Sequence, residues 1–323
     1  MRRRFPFFAM AGALLFCTQS AGAAYPDKPI RLIVPLAAGG GNDIISRYVA
    51  QKLFDVNGHR VVVENRAGAT GIIGTDAVVK AAPDGYTMLM GGTAQIILNP
   101  LLNKEVTLVL SRDLVPVAQI VEFPQLELVR SSLPVSNVKE LIQYAKANPG
   151  KINYASAGTG GGSHIAMENL QLIAGIRMVH VPYKGAGPAL ADLVAGNVDL
   201  LQNNPVASMV FVKTGKIRAI ATSSRKRLAI APDVPTLEES GMPNFSINNW
   251  VGLFFPARTP GEIVGRIDAD LAGIMRQKDV VTWFDEQGIE PVASSSKLFA
   301  EKIQSDTIRW QELIKKVGNI VVN

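Results

Sequence analysis

The sequence has little of what disulfides, metal sites and covalent catalysis require. Its one cysteine is Cys17, so the chain after residue 17 offers no disulfide, no thiolate metal ligand and no cysteine nucleophile. The three histidines, His59, His164 and His180, form neither an i, i+4 pair nor the H-E-x-x-H motif of many zinc sites. Ser163 lies in GGSHI, which is not the G-x-S-x-G of a nucleophile elbow. We therefore expect no enzyme, no cofactor and no metal.

The apolar stretch at the N-terminus is too short for a permanent membrane anchor. It covers residues 5–17, follows the basic start MRRR and precedes the small residues of TQSAGA, with an A-x-A site that ends at Ala23. This order is typical of a cleaved export signal. We predict a signal peptide over residues 1–23 and an exported mature chain. Phe16 is too large for a lipid-attachment box at Cys17, so we expect no lipid.

The mature chain also lacks a large excess of charge of one sign. Removing the three leader arginines from the formal net charge of +6 leaves about +3. Proteins that bind nucleic acids carry concentrated basic patches, so we expect no nucleic-acid partner. A hydrophobic content of 47 % is enough for a sizeable core, and a chain of this length favours two domains.

Strand-like and helical runs alternate along the chain from IRLIVPL to IRAIATS. Such alternation predicts α/β lobes whose parallel sheets are covered on both faces. Extended segments at residues 123–125 and 248–252 are candidates for crossings between lobes. We predict a first, discontinuous lobe from residues 24–123 and 249–323, and a second lobe from residues 124–248. Two lobes joined by two linkers form a clamp around a cleft.

The stretch VPLAAGGGNDIISR raises the question of what its glycines hold. The spacing of Ile45 and Val49 predicts a helix that begins near Asn42 or Asp43, both of which are good N-caps. A strand, a bare loop and a helix start in this order present unpaired N–H groups and the positive end of a helix dipole. We therefore expect Gly39–Gly41 to bind an anion.

A second loop repeats this arrangement. SAGTGGGSHIAMENL runs from a strand through glycines into a helix with Ser163 as its candidate N-cap. It lies in the other predicted lobe, so the two helix starts can face each other across the cleft. The alternative is that each glycine run is only a tight turn. Arg66 and Lys184 are single cations near glycines, and are either solvated loop charges or anion ligands.

Phosphate and dinucleotide motifs are incomplete. Neither glycine loop has the lysine of a P-loop, and Ile44 stands where the third glycine of a G-x-G-x-x-G motif beginning at Gly39 would be. Glu64 lies about 20 residues further on, where a ribose-binding acid belongs. A dinucleotide-dependent enzyme is therefore an alternative, and the export signal counts against it.

Several blocks of the sequence resemble, in order, those of the Bug family: VPLAAGGGNDIISR, VVVENRAGATGIIG, KAAPDGYTML, SAGTGGGSHIAMENL, VHVPYKGAGPALADLVAGNVDL and APDVPTLEESG. Bug proteins are the extracytoplasmic solute receptors of tripartite tricarboxylate transporters. The resemblance implies a type II periplasmic-binding-protein fold, in which two α/β lobes joined by two crossing strands close on a ligand. It also implies a periplasmic location, a monomer, a small carboxylate ligand and a permease of that transporter class as partner. An exported scavenger or sensor without a permease is the alternative.

The resemblance also implies which residues contact the ligand, largely through backbone N–H groups and without an arginine clamp. Carried over by position, they are Leu36, Ala38, Gly39, Gly40, Gly41, Asn42, Thr93, Gln95, Ser156, Ala157, Gly158, Thr159, Gly160, His164, Tyr183, Lys184 and Asn203. Leu36, Ala38 and Asn42 depart from the usual aromatic, proline and hydroxyl residues. Gln202 and Asn203 replace a common Phe-Asp pair. Without that acid, a plain carboxylate is favoured over an amino acid.

Overall fold

The computed structural model describes residues 25–242, 245, 248–292 and 294–318. It contains two α/β lobes, each built on its own β-sheet, as the resemblance implies. The predicted signal peptide, its cleavage site and the Phe16–Cys17 pair lie outside the described residues.

Strands and helices alternate through most of the chain. The strands are β1 (Ile30–Val34), β2 (Val61–Asn65), β3 (Thr87–Gly92), β4 (Leu114–Phe123), β5 (Leu126–Arg130), β6 (Asn153–Ser156), β7 (Val179–Pro182), β8 (Leu200–Asn203), β9 (Ile217–Thr222), β10 (Asn249–Pro256) and β11 (Glu290–Pro291). The α-helices are α1 (Gly41–Asn57), α2 (Ile72–Val79), α3 (Asn99–Leu102), α4 (Leu110–Asp113), α5 (Val138–Ala147), α6 (Gly162–Ala174), α7 (Ala186–Ala195), α8 (Pro205–Lys213), α9 (Gly261–Ile274), α10 (Lys278–Glu286) and α11 (Ser296–Val317). A 3-10 turn (Ala69–Gly71) precedes α2, and a π-helical turn (Ala94–Leu98) precedes α3.

The two sheets draw on different parts of the chain. The first has the strand order β11-β4-β10-β3-β1-β2, with strands from residues 30–123 and 249–291. The second has the order β7-β6-β8-β5-β9, with strands from residues 126–222. The order of the strands along the chain is thus that of a discontinuous first lobe and an inserted second one, while the exact domain limits stay a prediction.

The expectation of parallel sheets is only partly right. β1 is parallel to β2 and β3, and β6 is parallel to β7 and β8. However, β10 is antiparallel to β3 and β4, and β5 is antiparallel to β8 and β9. The chain leaves the first lobe along β4 and returns along β10. Because these neighbouring strands carry the chain out and back, they run in opposite directions, and they meet where Phe123 pairs with Asn249.

Apolar spacing decides which helix faces are buried. Ile45, Val49 and Leu53 lie four residues apart on α1, and all three are buried in the first lobe against the strand residues Ile30 and Phe255. Residues four apart share one face of a helix. The packing therefore fixes α1 on the sheet and directs its first turn toward the second lobe, where it approaches α8.

The C-terminal helix α11 packs against both lobes. It contacts β4 in the first lobe and α6 in the second. Trp250 on β10 donates its Nε1–H to Asp306 Oδ2 on α11 at 3.0 Å, and its ring lies 5.1 Å from that of Phe299, centroid to centroid. These buried contacts fasten α11 to β10, one of the two crossing strands. Within the described ranges, no helix is both long and apolar enough to cross a membrane.

Candidate functional site

A cavity of about 90 Å³ lies between the lobes, beside the crossing strands. Phe123 and Gln125 at one crossing, and Asn249 and Trp250 at the other, form part of its wall. One water needs about 10–15 Å³ of such volume, so the cavity has room for roughly six to nine water-sized groups. This size suits a small organic molecule.

Among the described residues, four α-helices begin at this cavity. Residues of their first turns or N-caps that line it are Gly40, Gly41 and Asn42 for α1, Gly161, Gly162 and Ser163 for α6, Ala186 for α7 and Asn204 for α8. The first N–H groups of a helix have no acceptor within the helix. The N-caps of α1, α6 and α7 are glycines, which have no side chain to accept them. The cavity therefore gathers unpaired N–H groups and positive dipole ends, which favour an anion.

The side-chain N-caps predicted from the sequence are wrong for both glycine loops. α1 begins at Gly41 and α6 at Gly162, so Asn42, Asp43 and Ser163 lie inside first turns and cap nothing there. A side-chain cap would occupy the N–H groups that face the cavity. A glycine N-cap leaves those donors open.

Asp43 is the one charged residue among the described residues that line the cavity. Its carboxylate accepts a hydrogen bond from Gly39 N at 3.0 Å and pairs with Arg47 at 3.0 Å. Burial by itself would raise the pKa of Asp43, but the hydrogen bonds from Arg47 and Gly39 outweigh it and hold the pKa below its usual value. Asp43 thus stays ionised, with its charge paired, and braces the glycine loop. The described residues of the lining include no lysine or arginine, so the donors they offer are neutral.

Hydrogen bonds join the two lobes on either side of the cavity. Ala37 N donates to Lys184 O at 3.1 Å, and Thr70 Oγ1 donates to Thr159 O at 2.8 Å. Thr70 has a φ of 53° and its carbonyl accepts a hydrogen bond from Gln95 Nε2 at 3.0 Å. A threonine is rarely found in this left-handed region, and the surrounding contacts hold it there. The structure is therefore a closed clamp.

Two glycines permit close contact between the lobes. A Cβ added to Gly187 at the start of α7 would lie 2.3 Å from Ala38 O in the first lobe. A Cβ added to Gly162 would lie 2.7 Å from Asn249 Oδ1 on β10. Both distances are shorter than real carbon–oxygen contacts. A larger residue at position 187 would push against backbone of the first lobe, and one at position 162 would displace the Asn249 side chain. The glycines of this region thus serve lobe closure as well as donor exposure.

Eight of the predicted ligand contacts line the cavity: Leu36, Gly40, Gly41, Asn42, Thr93, Gln95, Ala157 and Asn203. Several of their side chains are already hydrogen-bonded to the protein. Gln95 Oε1 accepts from Gly92 N at 3.1 Å, and Thr93 Oγ1 accepts from Trp250 N at 3.3 Å. These hydrogen bonds hold the two side chains in place in the cavity wall.

The other nine predicted contacts lie outside this lining: Ala38, Gly39, Ser156, Gly158, Thr159, Gly160, His164, Tyr183 and Lys184. Gly158, Thr159, Tyr183 and Lys184 instead line a neighbouring groove at the junction of the lobes. Tyr183 donates its hydroxyl to Asp192 Oδ2 at 2.5 Å within the second lobe. Ala38 O lies against Gly187 at the contact between the lobes, and Gly39 N donates to Asp43. Their role in ligand binding stays a prediction.

His164 and His180 stack beneath the second glycine loop, with ring centroids 3.9 Å apart. His164 Nδ1 accepts a hydrogen bond from Gly160 N at 2.9 Å, and His180 Nε2 lies 2.6 Å from Ser156 Oγ. Burial, and then repulsion from His164, lowers the pKa of His180 to about 4, and burial also lowers the pKa of His164. The stack is therefore uncharged at neutral pH, and its hydrogen bonds fix the shape of the loop.

Sequence reasoning missed lining residues at the crossings, at three helix starts, on β8 and in the 3-10 turn before α2. They include Thr70, Phe123, Gln125, Ser163, Ala186, Gln202, Asn204, Asn249 and Trp250. Residues 123–125 and 248–252 were expected as crossings only. Asn204 had a usable signal, because Asn before Pro205 is typical of a helix start, and its Oδ1 accepts from Ala207 N at 3.3 Å.

Arg66 and Glu64 form ion pairs away from the cavity. Arg66 Nε lies 2.6 Å from Glu64 Oε1, and Arg31 Nη2 lies 2.8 Å from Glu64 Oε2. None of the three lines the cavity. The acid that a dinucleotide site needs is thus engaged elsewhere, and Arg66 is placed as a surface charge.

One buried acid lies next to the cavity wall. Glu127 on β5 has no exposed surface, and its Oε1 accepts a hydrogen bond at 2.7 Å from Nε2 of Gln202 on β8, which itself lines the cavity. Burial raises the pKa of Glu127 to about 8, and the Gln202 bond lowers it only in part. Glu127 is therefore mostly protonated at neutral pH.

Comparison with known proteins gives a family match over most of the chain. The model of the family described as "Tripartite tricarboxylate transporter family receptor" (TctC) matches residues 45–319.

Solved structures with the same fold are similar in sequence as well. The periplasmic binding protein BugD has 33% identity and a TM-score of 0.87, covering 91% of this chain and 99% of its own. R. palustris Rpa4515 with adipate has 31% identity and a TM-score of 0.88, covering 91% and 98%. MatC from Rhodopseudomonas palustris with bound malate has 30% identity and a TM-score of 0.85, covering 90% and 99%. The chain therefore belongs to the TctC family of tripartite tricarboxylate transporter receptors, the solute-binding proteins that include the Bug proteins.

Proposed function

We propose that this protein captures a small carboxylate between its lobes and delivers it to a membrane permease of the tripartite tricarboxylate class. The observation that carries this proposal is the convergence of four helix starts on one cavity, whose lining, within the described part of the chain, has no lysine or arginine. Uncapped N–H groups at helix starts suit a carboxylate, which accepts several charge-assisted hydrogen bonds. Two similar proteins hold such ligands, adipate in one and malate in the other.

The affinity that neutral donors can supply is sufficient for a receptor. Four charge-assisted hydrogen bonds at about 1.5–3 kcal/mol each give about 6–12 kcal/mol. The loss of translational and rotational freedom on association costs at least about 4 kcal/mol. The balance of about 2–8 kcal/mol corresponds to dissociation constants from tens of millimolar down to about micromolar, so micromolar binding is reached without an arginine when the donors are well placed.

A plain carboxylate fits the cavity better than an amino acid. An ammonium group needs a free carboxylate partner, and Asp43, the charged residue of the lining, is already paired with Arg47 and Gly39. At the position of the family's common acid, Asn203 uses its amide to donate to Ser208 Oγ at 3.0 Å. We therefore assign a mono- or dicarboxylate without an amino group as the ligand class.

The proposal includes export to the periplasm as a monomer, with the signal peptide removed after Ala23. Family members are periplasmic binding proteins, and the leader has the composition of an export signal. Mass spectrometry of the exported protein tests the cleavage: a lipid-bearing chain that begins at Cys17 would contradict it. A scavenger or sensor without a permease is the second candidate, and uptake of the ligand by cells that lack and contain the receptor separates the two.

A thermal-shift screen tests the binding function directly. Mono-, di- and tricarboxylates, amino acids, aromatic acids such as nicotinate and the dinucleotide NAD are added to the purified protein. A ligand that binds only the folded clamp raises the melting temperature by mass action. We expect a rise with one or more carboxylates and none with NAD. A response to NAD with no response to any carboxylate would overturn the proposal.

A further inference from the structure

Two buried acceptor atoms beside the cavity lack a donor. Glu127 Oε2 and Gln202 Oε1 have no hydrogen-bond partner in the described part of the chain, although the two side chains are already joined through Gln202 Nε2 and Glu127 Oε1 at 2.7 Å. Gln202 is 2% exposed and Glu127 is fully buried. Buried polar atoms are almost always paired, so two unpaired acceptors on two bonded side chains call for a common cause.

A single proton on Glu127 accounts for both atoms. A carboxylic acid and a primary amide can exchange two hydrogen bonds, one from the amide N–H to the acid carbonyl and one from the acid O–H to the amide carbonyl. The observed bond is the first of these, and the two unpaired atoms are the ones that the second bond would join. Glu127 and Gln202 are also direct partners in the antiparallel β5–β8 ladder, so their side chains leave the same face of the sheet.

Resting on the proposed function, we propose that Glu127 is a positioning residue of the carboxylate site and must carry a proton for the site to hold its ligand well. The acid–amide pair fixes Gln202 in the cavity wall and leaves its second amide hydrogen to donate to the ligand. Ionisation of Glu127 removes the O–H that Gln202 accepts. It also places an unpaired negative charge directly behind an anion site, where the low dielectric strengthens the repulsion.

The charge of neighbouring titratable groups does not set the pKa of Glu127. Titratable groups among the described residues on this side of the sheet, and on the helices packed over it, include Tyr154, His164, His180, Glu168 and Arg218, together with Glu140 and Tyr144 on α5 and Lys302 and Asp306 on α11. The pKa of Glu127 is set by burial and by the Gln202 bond, and none of these groups contributes to it. The lysines of α5 on this side, Lys139 and Lys146, are exposed.

Ligand affinity should therefore fall as the pH rises through the Glu127 titration. With the pKa of Glu127 near 8, an ionised form that binds poorly predicts a dissociation constant about tenfold larger at pH 9 than at pH 7. Malate and adipate are fully ionised over this range, so the ligands themselves add no pH dependence.

Calorimetric titrations with malate and with adipate at pH 7, 8 and 9 test the inference. We expect the dissociation constant of the unaltered protein to rise about tenfold from pH 7 to pH 9. E127Q keeps a neutral amide that can pair with Gln202, so its ratio between the two pH values should stay below about twofold. E238Q removes an exposed glutamate of the same lobe and should retain the tenfold ratio. Rescue of binding by E127Q but not by E127L would show that pairing with Gln202 is what matters.

A second measurement does not depend on any variant. In protein labelled with ¹³C at the glutamate carboxyl carbons, one resonance should titrate near pH 8, and saturating ligand should move that titration to higher pH. A pH-independent dissociation constant, a tenfold ratio in E127Q, or a glutamate spectrum without a titration above pH 7 would each overturn the inference. Those results would leave carboxylate binding intact. If no carboxylate binds at pH 7, the proposed function fails, and this inference fails with it.

Discussion

Gly41, the first residue of α1 in one lobe, lies directly against the side chain of Asn204 in the other. A Cβ on Gly41 would be 2.3 Å from Asn204 Nδ2 and 2.4 Å from Oδ1. Asn204 cannot move away freely, because its Oδ1 accepts from Ala207 N and caps α8. The loop that offers N–H donors to the cavity must therefore also lack a side chain at Gly41 for the two lobes to close.

G41A should weaken ligand binding by at least tenfold, about 1.4 kcal/mol. The added methyl either holds the lobes apart or displaces the Asn204 cap, which by itself costs about 1 kcal/mol. Calorimetry with the carboxylate that responds best in the thermal-shift screen measures the loss. Small-angle scattering should show a smaller radius of gyration with ligand in the unaltered protein and a reduced change in G41A.

G261A is the matched control for this variant. Gly261 is also the first residue of an α-helix, α9, and a Cβ there would meet no atom of the described residues within 4 Å. Its binding should stay within twofold of the unaltered protein. Equal affinity in G41A and G261A would show that the clamp does not close as described.

T70V should weaken binding several-fold. It removes the hydrogen bond from Thr70 Oγ1 to Thr159 O, which joins the lobes, and a neutral hydrogen bond contributes about 0.5–1.5 kcal/mol net. T214V is the control, because the Thr214 hydroxyl donates only to carbonyls of its own helix, Val210 O and Phe211 O. If T70V binds as tightly as T214V, the hydrogen bond between Thr70 and Thr159 does not contribute to closure of the lobes.

R66A and E64A should each change carboxylate binding by less than twofold. Both side chains form ion pairs outside the cavity lining. Exposed pairs of this kind contribute about 0–1 kcal/mol to stability, so both variants should fold. Titration of both variants with the same carboxylate measures this. Loss of binding in R66A alone would mean that a guanidinium holds the anion, and loss in E64A would favour a ribose site.

The sequence predicts the lobes, the crossings and the anion-binding loops because each has a local signal. Apolar periodicity marks α1, and the glycine runs after β1 and β6 mark the donors. It predicts less well which neighbours of those loops line the cavity. Tyr183 and Lys184 stand in a strong motif, yet the fold directs the Tyr183 hydroxyl to Asp192 and uses the Lys184 carbonyl in the lobe contact.

The interaction between Glu127 and Gln202 had no local signal at all. A glutamate in the apolar run VAQIVEFPQLELV looks like the outward position of an edge strand. It is buried because β5 is an interior strand, paired with β8 and β9, and because α5 and α6 pack over this face of the sheet. Only this long-range pairing brings it opposite Gln202, 75 residues further along the chain.

E127Q should also change how stability depends on pH. Because the pKa of Glu127 is raised in the folded protein to about 8, folding takes up a proton between the ordinary glutamate pKa and that value. The free energy of unfolding of the unaltered protein should therefore fall, relative to E127Q, by about 1.4 kcal/mol per pH unit between about pH 5.5 and 7.5. Urea denaturation of both proteins across this range measures the difference. Parallel curves would show that Glu127 is ionised in the folded state.

The most direct measurement of the central claim is a crystal structure of the protein with the carboxylate that binds most tightly. The account predicts that the ligand lies between the lobes, with carboxylate oxygens within about 2.7–3.2 Å of backbone N–H groups at the starts of α1 (Gly41, Asn42) and α6 (Gly162, Ser163). A carboxylate held by a lysine or arginine side chain outside this cavity would contradict it.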